Sequence, residues 1–464
     1  MFLSELYKIR YLLLLEFLLL TVFAIFEIIP LIALLGIIFF ILILYLTFHR
    51  PILAVHILIF SILVDAVIPY KNVSKGPTLF IEEVFFGFFL AIFTIKFLTR
   101  LNKDYKIPAF IWLWIPFFVW TLPTGLLIAL EKLRILVFWK NYFAGFFSLM
   151  LVYYSIQNKA QLKAMILSFI IWGLILALIE FNILMQLGGF SSGVVGLYFK
   201  KNLFAVSWGK SNYLASFLVL IIPLTFGYTF YTKIKKLKLF FSTALVFMFL
   251  GVIVTLSRGG LLALMLALIL LFIGSLKAKS LVPFLSILIV ITIIILLNPM
   301  TYVIANSLSA IETSGSIYTR LNFYQDVWHA FLKHPFTGVG FGNLSFYATF
   351  VLAKETSSSA HNIVLGMLGE TGLIGSFFFF SVLGTVIIKI LKDYRLEEEH
   401  SLKLLKWAFF SAIIGGCIHS LMEPNFEGFQ FSIIFWSLVG TFFHLNKLKT
   451  EGVKYSKNFE NKID

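Results

Sequence analysis

Long apolar runs parted by short polar connections dominate the chain, at 10–26, 28–47, 52–69, 79–98, 108–129, 135–156, 163–187, 211–231, 239–256, 260–276, 280–298, 362–388, 404–422 and 429–446. Most have the ~17 to 25 residues that a helix needs to cross a roughly 30 Å hydrocarbon core. The first two form one stretch interrupted by Glu27 and Pro30, too long for a single span, so a tight turn is expected between them. The pattern predicts an all-α, polytopic membrane protein with about 12–14 transmembrane helices. Spans 1–11 fall within 1–298, a large outer loop with short helices at 299–361, spans 12–14 within 362–446, and a polar tail at 447–464.

Charge sets the expected orientation. With both termini in the cytoplasm, 25 of the 37 Lys and Arg fall in inner segments, as the positive-inside rule requires. Removing one span before residue 300 would invert the later loops and spoil that pattern. Composition agrees, since 60% hydrophobic and 13% charged residues are incompatible with a soluble globular protein. The formal net charge of +15 therefore reports topology, and no nucleic-acid partner is expected. Cys417 is the single cysteine, which excludes an internal disulfide. Lys8 and Arg10 precede an apolar stretch that lacks a small-x-small cleavage site, so the N-terminus is expected to stay as an anchor.

Two connections are long, 188–210 and 299–361, and both are expected outside. In the second, Leu321, Phe323, Tyr324, Val327, Trp328, Phe331 and Leu332 recur at amphipathic spacing and predict a helix over 319–333, ended by Pro335. Gly338, Gly340 and Gly342 follow as a flexible or tightly turning segment. They neither follow a strand nor open a helix, which argues against a dinucleotide loop.

The chain has seven arginines against thirty lysines, so each expected external arginine asks for a reason. The planar guanidinium matches phosphate oxygens two at a time, whereas lysine is a point charge. Arg258 sits in a short connection beside Gly259 and Gly260, which leave a bulky ligand room at the backbone; the plainer alternative is a snorkelling arginine. Arg320 opens the predicted loop helix, where a cation opposes the helix dipole; the plainer alternative is a salt bridge with Glu312 or Asp326. His361 precedes a span at its N-terminal end, a setting that suits a proton-accepting ring, the alternative being that it caps the helix.

Lys210, Asn212, Trp328 and Asn362 are candidates for further substrate contact, and Arg134, Lys140, Lys200 and Lys201 for a basic funnel. Glu370 lies nine residues beyond His361, on roughly the opposite side of an ideal helix, and is expected in a buried ion pair or packing role. Glu16, Asp65 and Glu180 are intramembrane carboxylates without an assigned partner. His329 and His334 are five apart, do not share a face as metal ligands would, and read as solvated loop residues. The outer loops hold no Asp-x-Asp, and the chain has no His-x-x-x-His, Walker loop or Gly-x-Ser-x-Gly elbow. No metal or other cofactor is expected.

Taken in order, several segments resemble the O-antigen ligase and polymerase superfamily of bacterial envelope glycan assembly. They are Gly209-Lys-Ser-Asn212-Tyr-Leu-Ala215, Ser257-Arg258-Gly259, Arg320 through Trp328 with His334-Pro335 and Gly338-Val-Gly340-Phe-Gly342-Asn343, and His361-Asn362 leading into Gly369-Glu370-Thr-Gly372-Leu-Ile-Gly375. They cover about residues 205–380. The resemblance implies a metal- and nucleotide-independent glycosyltransferase whose donor is an undecaprenyl-diphosphate-linked glycan. It places Arg258 and Arg320 on the diphosphate and makes His361 the base for the acceptor hydroxyl. The expected fourteen spans exceed the twelve usual for the ligases.

On this reading the protein is a multi-pass ligase of the bacterial inner membrane with a periplasmic active site, moving a glycan to lipid A-core in lipopolysaccharide biosynthesis. A polymerase with another glycan as acceptor, or a protein O-oligosaccharyltransferase, would look nearly the same. A lipid-linked glycan flippase also fits the span number, but a transporter should gather its polar residues near the bilayer midplane. Arg258, Arg320 and His361 are instead expected at one outer surface, beside membrane lipid.

Overall fold

The computed structural model describes residues 41–43, 45–67, 81–100, 109–189, 211–275, 316–352 and 360–449. Among these residues the structure is all-helical, with no strand. The helices are α1 (Pro51–Val67), α2 (Ile81–Arg100), α3 (Trp114–Ile128, led in by a 3-10 turn), α4 (Lys132–Ser155), α5 (Lys159–Gln186), α6 (Ser211–Tyr231) and α7 (Lys235–Val254). They continue with α8 (Arg258–Ser275), α9 (Ser316–Lys333), α10 (Leu344–Phe350), α11 (Ile363–Arg395), α12 (His400–Ser420) and α13 (Phe429–Phe442).

Seven of the described helices (α3 with its lead-in, α4, α5, α6, α7, α11 and α12) are long and apolar enough to cross a membrane, while α1, α2, α8 and α13 carry shorter apolar stretches. The chain is a multi-pass membrane protein. Eleven of the fourteen expected spans coincide with these helices to within a few residues. Those at 10–26 and 280–298, and most of 28–47, lie outside the described residues.

α6 is buried along most of its length and sits among α5, α7, α8 and α12, as expected of a helix that is apolar all round. α13 lies along α4, and α3 packs between α4 and α11. A β-carbon at Gly145 of α4 would collide with Trp436 of α13. Small residues at such crossings permit the close backbone approach by which helices associate in lipid. Trp436 in turn meets Trp114 edge to face, with ring centroids 5.0 Å apart.

α11 is broken at Gly372, where φ is 65° and ψ is −169°. The carbonyls of Gly369 and Glu370 lose their helical donors there, and Val339 N and Gly340 N replace them, each at 2.9 Å. Leu373 N, freed by the same break, donates to Pro335 O at 2.8 Å. The glycine-rich segment after α9 is therefore a backbone splint for the broken helix. Gly338 (φ 64°) and Gly372 face the opposing main chain so closely that a β-carbon on either would overlap backbone atoms.

α9 begins at Ser316, earlier than its spacing predicts. Phe323, Val327 and Ala330 are buried, but Leu321, Trp328 and Leu332 are about half exposed. The apolar face read from the sequence is thus two stripes. The second need not meet protein, because a helix at a membrane surface can set an apolar stripe against lipid. His334 is not the solvated residue expected: it is half-buried, edge-on to the ring of Tyr347.

Candidate active site at the Glu423 turn

Four segments distant in sequence meet on the carboxylate of Glu423, in the turn between α12 and α13. Its side chain is 3% exposed. Oε1 accepts from Arg320 Nη2 at 2.7 Å and from Asn212 Nδ2 at 2.6 Å, and Oε2 lies 3.2 Å from His361 Nδ1. Burial alone pushes this carboxyl's pKa up. The hydrogen bond and charge of His361, with the charges of Arg320 and His419, outweigh burial and hold the group below its ordinary value.

The turn is built locally. α12 ends at Ser420, Met422 N and Glu423 N both donate to His419 O, and Pro424 stops the helix from continuing. Asn425, fully buried, donates from Nδ2 to His419 Nδ1 at 2.7 Å and to Ser420 Oγ at 3.1 Å. With Nδ1 accepting, the hydrogen of a neutral His419 sits on Nε2, which is buried without a hydrogen-bond partner among the described residues.

Arg258 opens α8 and is exposed. Ser257 Oγ accepts from Gly260 N at 3.1 Å and Thr255 Oγ1 from Ser257 N at 3.2 Å, so the sequence Thr-Leu-Ser carries its own cap. A β-carbon at Gly259 would come within 3.3 Å of Met422 Sδ and 3.8 Å of His419 Nε2. The Arg258 turn thus rests on the residues that immediately precede Glu423.

His361 is not the helix cap. Asn362 takes that place, its Oδ1 accepting from Val364 N at 2.9 Å and Leu365 N at 3.1 Å, which also commits the oxygen that was a candidate for substrate contact. His361 itself is left-handed at φ 47°, and Leu256, two residues before Arg258, at φ 52°. Among the described residues these are the two non-glycine positions with positive φ. Such strain costs on the order of 1–3 kcal/mol per residue and collects at functional sites.

Arg320, His361 and Asn212 are therefore brought together on Glu423, and the turn that carries Arg258 packs on Met422 and His419 just before it. Arg320 lies one turn inside α9 rather than at its start, and its ion pair is with Glu423 rather than with Asp326. Trp328 is half-exposed against Phe331, and Lys210 lies outside the described residues. Glu370 is buried on α11, where its carboxyl group lies near the Gly342 amide and in the fields of Glu427 and Arg134. Among the described residues no group of three or more His, Cys, Asp or Glu could hold a metal ion.

Sequence reasoning missed Glu423, His419 and Asn425. The signal was there: His419-Ser-Leu-Met-Glu423-Pro-Asn425 sets several polar side chains and a helix-stopping proline between two apolar runs.

Residues 243–380 match the family model described as O-Antigen ligase. The match contains Arg258, Arg320 and His361 and ends before Glu423. A stretch of 122 residues is 28% identical to the teichuronic acid biosynthesis protein TuaE of Bacillus subtilis (strain 168), covering 26% of this chain and 25% of that protein.

Proposed function

We propose, from the match of residues 243–380 to the O-antigen ligase family model, that this is a membrane glycosyltransferase of polysaccharide assembly, moving a glycan from a polyprenyl diphosphate to an acceptor hydroxyl. The observation that carries the reading is the bridge of Glu423 between Arg320 and His361. A carboxylate at Nδ1 holds the imidazole in one orientation and, in the neutral ring, sets the hydrogen on Nδ1 and the lone pair on Nε2.

In the proposed step, Nε2 of His361 takes the proton of the acceptor hydroxyl as that oxygen attacks the anomeric carbon. The bond from that carbon to the diphosphate oxygen breaks, and the diphosphate leaves with the electron pair. Its growing charge is met by Arg258 and Arg320, fixed cations that do for the leaving group what a metal does elsewhere. The bond to Glu423 uses one of the five N–H donors of Arg320, and the side chain keeps 31% of its surface accessible.

The site then belongs on the outer face of a bacterial plasma membrane, with both termini inside, as the lysine and arginine distribution supports. The relative's role in teichuronic acid biosynthesis favours a growing polysaccharide as acceptor over lipid A-core, a preference of polymerase over lipopolysaccharide ligase. The test is reconstitution of the full chain in liposomes with labelled polyprenyl-diphosphate glycan and either a glycan or a lipid A-core acceptor. Transfer to the glycan with release of polyprenyl diphosphate is expected. Movement of the donor across the bilayer without transfer would replace the enzyme by a transporter.

A further inference from the structure

About 20 Å along α9 from Arg320, thirteen residues at 1.5 Å each, lies a second site with a different chemistry. A cleft of about 320 Å³ opens between the end of α3, the end of α9 and α10, lined by Ile128, Leu130, Lys333, His334, Asn343 and Tyr347 with Val339 and Val351. That volume is at the lower end of the range of small-molecule sites, ~300–1,000 Å³. Its walls are held in place: Asn343 Oδ1 accepts from Glu131 N at 2.8 Å, and its Nδ2 donates to Glu131 O and Phe341 O, tying the start of α10 to the α3–α4 turn.

Tyr347 is 5% exposed. Its hydroxyl is buried without a hydrogen-bond partner among the described residues. A buried phenol without a partner forgoes the hydrogen bond that water would give it, so a ligand that offers it an acceptor gains what the free protein forgoes. Lys333 and His334 stand on the same lining, and the remaining wall is largely aliphatic. The surface beside the cleft is apolar and exposed: Leu130 and Val351 line the cleft itself, and Leu127, Leu133 and Phe350 flank them, each between 46% and 82% accessible.

We propose that this cleft binds one anionic phospholipid. The phosphate would meet Lys333 and the Tyr347 hydroxyl, and the acyl chains would lie along Leu130 and Val351. Charge complementarity and the aliphatic lining together choose this occupant. A glycan would meet few polar partners here, a lipid without phosphate would leave Lys333 unused, and a zwitterionic lipid would set its own choline cation beside Lys333. The site is independent of glycosyl transfer and would stand if that reading failed.

The test counts lipid retained by the full-length protein in detergent after delipidation and titration with phosphatidylglycerol, with phosphatidylcholine, or with glycerol 1-phosphate as competitor. Wild type is expected to hold one phosphatidylglycerol at least tenfold more tightly than phosphatidylcholine. Lys333→Gln combined with Tyr347→Phe, which keeps the ring and hence the packing, should lose that preference. Lys236→Gln, an exposed lysine at the start of α7, should keep it. Equal retention of both lipids, an unchanged double variant, or a loss just as large in Lys236→Gln would each overturn the proposal. Full displacement by glycerol 1-phosphate at matched concentration would also overturn it, since the ligand would then be a soluble anion.

Discussion

Two buried carboxylates, Glu423 and Glu397, show how one kind of group serves two ends. Glu397, in the α11–α12 connection, binds Lys406 Nζ at 2.8 Å and Lys449 Nζ at 3.3 Å and accepts the backbone N–H groups of Glu398 and Glu399. Lys406 is itself saturated, donating also to Asn446 Oδ1 and Asp393 O. Glu423 is as deeply buried, yet its partners are an arginine, a histidine and an asparagine gathered from three other segments. Arg320 and His361 keep 31% and 15% of their side chains accessible, whereas Lys406 keeps 3%. The first cluster is closed around the Glu397–Lys406 pair, with Lys449 at its rim 51% accessible, and ties two helices and the turn at 445–448 together. The second is open on one side, with a strained histidine and an imidazole N–H that has no partner among the described residues beside it, and that asymmetry is what chemistry needs.

The sharpest way to break the comparison is at His361. His361→Ala should lower turnover on the order of 10²-fold or more, the usual contribution of a positioned base, while labelled donor lipid still binds. Loss of donor binding with intact turnover of what remains bound would make His361 a phosphate ligand. Arg258→Lys and Arg320→Lys come next. Each keeps the charge and loses the planar fork, and a fall of at least about tenfold in kcat/KM is expected with normal membrane insertion. Near-wild-type kinetics in both would remove the diphosphate from this site.

How much of this was legible follows from what each feature depends on. Span positions depend on run length and composition, so α3 through α8 and α11 through α13 fell where the apolar runs are. Arg258, Arg320 and His361 could be singled out because an arginine expected on the outer side of a lysine-rich chain, and a histidine before a span, are local anomalies. The break at Gly372 was not legible, because it requires Val339, Gly340 and Pro335 to supply the missing hydrogen bonds across a long separation. Glu423 was missed for a related reason: the polar segment 419–425 marks the turn, but the partners that give the carboxylate its role lie 103 residues away at Arg320 and 211 away at Asn212.

At the closed cluster the effect should be on stability instead. Lys406→Met leaves Glu397 buried with the partly exposed Lys449 as its remaining cation and should destabilise the protein by about 3 kcal/mol, read as a lower thermal midpoint in detergent with kcat per folded molecule unchanged. Glu397's pKa is pushed up by burial but pulled below its ordinary value by Lys406, the Glu399 amide and Lys449. A carboxyl lowered on folding stabilises above its unfolded pKa, and that contribution is lost as pH falls through the folded value. The thermal midpoint should therefore be flat above the ordinary carboxylate range and drop below it, with a shallower drop in Glu397→Gln. An equally steep acid drop in that variant would assign the effect elsewhere.

The smallest expected effect is none at all, from removing divalent metal. On the proposed reading, a site that meets a leaving diphosphate with two guanidinium groups has little for Mg²⁺ or Mn²⁺ to add. The one carboxylate at its centre already spends both oxygens on Arg320, Asn212 and His361. To take a metal, Glu423 would have to release Arg320 and Asn212 or let go of His361, the base it orients, so a metal bound there would inhibit rather than assist. Initial rates in excess EDTA should match the untreated control, and added Mg²⁺ should not raise them. A strict requirement for either ion would mean that the diphosphate is held by a ligand set other than the arginines, and the contrast between an open cationic cluster and a closed structural one would lose its chemical meaning.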